Sequence, residues 1–105
     1  MEVSDLQNKV TNFVNKNNLE IQVENRFLDL ISEVGELSKE VLEGSNYGKR
    51  KFSNTKKWDD EFGDVLFSLI AIANKTEVDF EVALDRALNK YQKRYDEKGH
   101  ISSGN

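Results

Sequence analysis

The chain has 105 residues, a formal net charge of −4, 37% hydrophobic and 32% charged residues. One all-α domain spanning residues 1–105 suits that length. Its core is real but not generous, so the low apolar share predicts that a partner subunit completes it. Cysteine and proline are absent, and His100 is the sole histidine. This excludes disulfides, thiolate zinc, paired-histidine zinc and Glu-x-x-His di-iron sites. A bound metal must then be a hard cation held by oxygens. The acidic balance argues against nucleic-acid backbone binding. No apolar run is long enough to span a membrane. The stretch MEVSDLQNKV lacks a basic region leading into an apolar one, so no signal peptide is read and the expected location is cytoplasmic.

Periodicity predicts four helices. The first covers about 4–17, with Leu6, Val10, Phe13 and Val14 on one face and Ser4 or Asp5 as cap. The second runs from about Glu24 to Glu43, with Gly44 placed to stop it. A loop follows, rich in Gly, Asn and Ser, with Lys49, Arg50 and Lys51 in its middle. The third runs from about Lys56 to Asn74. It is apolar almost all round from Phe62 to Ala73, which predicts a central, buried helix. The fourth runs from Phe80 to Lys98, with Asp79 as N-cap and Gly99 as its end.

One pentapeptide pattern occurs twice: EVGEL at 33–37 and EFGDV at 61–65. On the second helix Glu33, Glu36 and Glu40 form one stripe, which Asp29 extends; alone it reads as a solvated face. On the third, Glu61, Asp64 and Ser68 share a stripe bounded by apolar residues. Asp64 is expected to be partly buried there, where a carboxylate needs a cation or a proton. In an antiparallel hairpin of these helices Glu36 is expected level with Asp64, and the four acids meet across one seam. Gly35 and Gly63 are then expected to let the two backbones approach, since each costs about 1 kcal/mol in a helix interior. Such an oxygen-rich pocket suits Mg²⁺, with Mn²⁺ as a substitute.

With these residues in view, the chain resembles the MazG-type all-α nucleoside triphosphate pyrophosphohydrolases, whose hallmark is E-x-x-E on one helix and E-x-x-D on the next. Here these are Glu33 and Glu36 in SEVGELSKE, and Glu61 and Asp64 in WDDEFGDVLFSLIAIAN. The resemblance runs from about Leu28 to Gly99 and includes Lys90-x-x-x-Arg94. It implies hydrolysis of a nucleoside triphosphate to the monophosphate and pyrophosphate, with the four acids holding Mg²⁺ and one of the glutamates a candidate proton acceptor. It also implies a homodimer or a dimer of dimers. Many members carry an acid directly before the first motif glutamate; here that position is Ser32, which leaves any role of that extra acid unsupported.

The resemblance assigns Lys90 and Arg94 to phosphate oxygens; a solvated helix face is the plainer alternative. Trp58 is expected to stack on a nucleobase or to sit in the core. Asn74 is expected either to read base or sugar or merely to end its helix. His100, on a Gly/Ser tail, has no visible partner. Two other functions stay open: a phosphoribosyl-ATP pyrophosphohydrolase on a similar scaffold, and a non-enzymatic helical module that uses its acidic helices as an interaction surface.

Overall fold

The structure is a computed structural model and describes residues 1–103. Four helices and no strand occur among them: α1 Val3–Lys16, α2 Val23–Gly44, α3 Lys56–Lys75 and α4 Phe80–Lys98. The all-α expectation holds, with each helix within a residue or so of its expected ends. Local chemistry sets those ends. Thr55 caps α3 by accepting from the Trp58 amide at 3.1 Å, and Asp79 caps α4 by accepting from the Val82 amide at 3.0 Å. Gly99 takes the left-handed conformation after α4, φ 78°. At α1 the cap position is Glu2, and Asp5 acts from inside the first turn, accepting from the Glu2 amide at 2.8 Å.

Gly44 does not serve as the left-handed stop expected of it. It is the last residue of α2, and Ser45 is the C-cap. A Cβ at Gly44 would lie 2.6 Å from the Phe52 ring, so the glycine makes room for the loop folding back over the helix end.

Helix α3 is the shared element. It packs most extensively on α2 and also on α1, while α4 rests mainly on α1. The α1/α3 side is well finished. Phe13 meets Phe67 edge-on at 6.0 Å, and the buried Arg26 lies over the Phe67 ring while donating to the Leu19 carbonyl. Gln7 joins three elements. Its side chain donates to Asn74 Oδ1 at 3.0 Å and to the Val78 carbonyl at 2.8 Å, and accepts from the Phe80 amide at 3.0 Å.

The rest is open. Ser68, Ile70, Ala71 and Ala73 of α3 are buried, but Phe62, Leu66 and Leu69 are exposed. No α4 residue is buried. The radius of gyration is 16.8 Å, against about 13 Å for a compact chain of this length. No described helix is long and apolar enough to cross a membrane.

Candidate functional site

The antiparallel α2/α3 pair carries both acidic stripes. Three carboxylates converge: one oxygen each from Glu33, Glu61 and Asp64, all within 4.8 Å of one another. Glu33 and Glu61 are half-buried and Asp64 is exposed. Among the described residues, none of the three forms a hydrogen bond or ion pair with another side chain. Their mutual repulsion is visible in Glu33. Partial burial, then the charges of Asp64, Glu61, Glu36 and Asp29, push its carboxyl above the ordinary value of 4.5.

Three details differ from the sequence reading. Asp64 is exposed rather than partly buried, because the neighbouring Phe62 and Leu66 are themselves uncovered. The register places Glu33, not Glu36, against Asp64. Glu36 turns along its own helix to Lys39, with Oε1 3.6 Å from Nζ. Finally, a Cβ at Gly35 or Gly63 would meet nothing within 4 Å. These glycines lie on the open face of the hairpin and are not there to bring the backbones of α2 and α3 together.

The other candidates are scattered. Trp58, one turn before Glu61, is half-buried. It stands between Phe52, edge-on at 4.8 Å, and Phe62 at 6.0 Å. In sequence, Trp58 and Phe62 flank Glu61 on α3. Asn74 lies ten residues beyond Asp64, about 15 Å along the helix. Gln7 occupies both ends of its amide: Nδ2 donates to the Gln7 carbonyl at 2.9 Å, and Oδ1 accepts from its side chain. Lys90 and Arg94 both lie over the Tyr91 ring, at 5.2 and 6.0 Å, and Arg94 donates to the Ile101 carbonyl at 3.2 Å. His100 faces Ser102, Nδ1 to Oγ 3.1 Å. Lys90 and Arg94 belong to α4, which hardly touches α2 or α3.

The sequence reading passed over Lys57. It forms an ion pair with Glu40 across the seam, 3.5 Å. The carboxylates of Glu40 and Glu43 raise the affinity of its amine for the proton. The available signal was spacing: Lys57 stands four residues before Glu61, on the same stripe.

An all-carboxylate set suits a hard divalent ion and offers nothing to soft metals. Comparison with known proteins agrees. Residues 21–98 match the family model of the MazG nucleotide pyrophosphohydrolase domain. The crystal structure of the Bacillus-conserved MazG protein, a nucleotide pyrophosphohydrolase, superposes with a TM-score of 0.74 at 28% identity, covering 87% of this chain and 90% of that one. YpjD of Bacillus subtilis (strain 168), an uncharacterized protein, is 38% identical over 68 residues, 62% of this chain. The match spans 60% of the length of YpjD.

Proposed function

Since the chain belongs to the MazG nucleotide pyrophosphohydrolase family, we propose that it hydrolyses a ribo- or deoxyribonucleoside triphosphate to the monophosphate and pyrophosphate, in the cytoplasm and in the service of nucleotide housecleaning. The observation that carries this reading is the convergence of Glu33, Glu61 and Asp64, with one carboxylate oxygen from each within 4.8 Å of the others. Glu36 stands one turn away, held only by an exposed lysine, and its side chain is free to rotate toward them. These four acids would hold Mg²⁺ or Mn²⁺. Bound there, the ion would neutralise phosphate charge and lower the pKa of an attacking water.

The remaining roles fall to the chain's own side chains. A glutamate of the cluster accepts the proton released by that water. Trp58, flanked by Phe52 and Phe62, offers a face for a nucleobase. Lys90 and Arg94 bind β and γ phosphate oxygens, which leaves the α phosphorus toward the acids and makes pyrophosphate the leaving group. Asn74 is the weakest of the assigned substrate contacts, because its amide is already engaged by Gln7.

The working form is a homo-oligomer, at least a dimer. Supporting this are an α4 with no buried residue, exposed Phe62, Leu66, Leu69, Leu84 and Leu88, and the expanded radius of gyration. Light scattering at micromolar concentration is expected to give a dimeric mass or larger; a monomer overturns the assembly.

A panel of canonical and damaged nucleotides, assayed for pyrophosphate release with Mg²⁺ and with chelator, tests the activity. Pyrophosphate is expected only with the metal. Release of orthophosphate instead overturns the reading.

A further inference from the structure

The acidic stripes of α2 and α3 extend one step past the carboxylate cluster, and the extension has a different chemistry. Along α2 the positions run from Glu40 to Glu36 to Glu33, in steps of four and then three residues. Along α3 they run from Lys57 to Glu61 to Asp64, in the same steps. Because the helices are antiparallel, the matched steps set three rungs in register: Glu40 with Lys57, Glu36 with Glu61, Glu33 with Asp64. Contact at the two outer rungs fixes this register. Glu40 meets Lys57 at 3.5 Å, and Glu33 shares the cluster with Asp64.

Two of the three rungs carry like charges, so electrostatics there favours splaying or sliding of the helices until a cation enters. The third rung carries opposite charges. Its acid is also the most buried of the stripe: the Glu40 side chain is 6% exposed, against 50% for Glu36. A carboxylate so withdrawn from water is tolerated with its partner in place and strongly disfavoured without it. Sliding α3 by one turn would carry Lys57 about 6 Å from Glu40, which Glu40 resists. Lys57 reaches this acid from the solvent side, its side chain 65% exposed, and a single polar group at a helix seam is attested as a device that fixes register.

We propose that Glu40 and Lys57 form a positioning pair that locks α2 against α3 and so holds Glu33 at ion-binding separation from Glu61 and Asp64. This rests on the metal-binding reading above. Neither residue ligates the ion; both act through the backbone register they set.

The sign of one mutant separates this from a simple charge effect. Lys57→Met removes a positive charge near the cluster. Acting only as charge, it would tighten Mn²⁺ binding, while Glu40→Gln would weaken it. As a register lock, both substitutions weaken Mn²⁺ binding by about tenfold or more. Lys57→Arg then stays close to the wild type, and the double variant Glu40→Gln/Lys57→Met is no weaker than the worse single one. Mn²⁺ titrations followed by electron paramagnetic resonance read all five proteins. Tighter binding by Lys57→Met overturns the proposal.

A second measurement uses no metal. The chain has no cysteine, so spin labels at Ser32→Cys and Asp60→Cys, both exposed positions, report the distance between α2 and α3. The register lock predicts a narrow distribution in the wild-type background and a shifted or broadened one with Lys57→Met. Should that variant fail to fold, Glu40→Gln serves in its place. An unchanged distribution in a folded variant overturns the proposal. If the wild type binds no Mn²⁺, the metal reading fails, while the spin-label distances still decide the register.

Discussion

The two faces of α3 are finished differently. Toward α1, each polar group that enters the interior has a partner: Arg26 reaches the Leu19 carbonyl, and Asn74 and Gln7 exchange hydrogen bonds. Toward the middle of α2, Glu33, Glu61 and Asp64 crowd together, and among the described residues no side chain forms a hydrogen bond or ion pair with them. The first arrangement is what stability requires of buried polar groups. The second lowers stability, since like charges raise the energy of the folded state. A small domain keeps such a cluster when something positive completes it, so the contrast separates scaffold from site.

The largest effect that can break this comparison is loss of an acid. Asp64→Asn, Glu61→Gln and Glu33→Gln are each expected to lower turnover by about a thousandfold or more, in line with loss of a principal electrostatic element of a site. Circular dichroism should stay unchanged, because no apolar seam is touched. Glu36→Gln is expected to do the same, since Lys39 holds that carboxylate only from solvent. Wild-type turnover in any of them would remove that residue from the site.

Next is the response to ligand. Mg²⁺ at a hundredfold excess over its Kd should stabilise the folded state by about 2.7 kcal/mol. For a domain of this size that raises Tm by about 10 °C or more. Asp64→Asn should abolish the rise. No Mg²⁺-dependent shift in the wild type would favour a non-enzymatic acidic module.

On the scaffold side, Asn74→Ala and Gln7→Ala are each expected to cost about 1–3 kcal/mol by leaving a partner unsatisfied. The double variant should cost little more than either, because the two side chains serve one another. Urea denaturation reads this. If Asn74 contacts substrate as well, its variant will also show a raised KM that Gln7→Ala does not share.

The smallest effect is in pH. The Glu33 carboxyl has a higher proton affinity folded than unfolded, so the folded state binds more protons in the window just above pH 4.5. Its contribution therefore makes metal-free stability fall as pH rises through that window. Glu33→Gln should remove this component, and saturating Mg²⁺ should reverse it. A difference between wild type and Glu33→Gln that does not vary with pH would contradict the repulsion argument.

Much of this was legible in the sequence. The helices follow from apolar spacing, and the Asp79 and Gly99 boundaries from capping chemistry that acts within a few residues. Glu61 and Asp64 stood out as carboxylates on an otherwise apolar helix, and Glu33 stood out through the repeated pentapeptide pattern. What failed depended on the partner helix. Loop length suggested that Glu36 faces Asp64, whereas Glu33 clusters with Asp64 and Glu40 pairs with Lys57, a register that loop length alone does not reveal. The burial expected for Asp64 assumed that an apolar helix is covered on all sides, and Phe62 and Leu66 are not. Gln7 escaped notice because a glutamine linking three elements has no local pattern.

The most direct test is hydrolysis of a nucleoside triphosphate in ¹⁸O-water with Mg²⁺, with products read by mass spectrometry. The account predicts monophosphate and pyrophosphate in equal amounts, no diphosphate, and one ¹⁸O in the monophosphate. Label in the pyrophosphate would place the attack at the β phosphorus and contradict it.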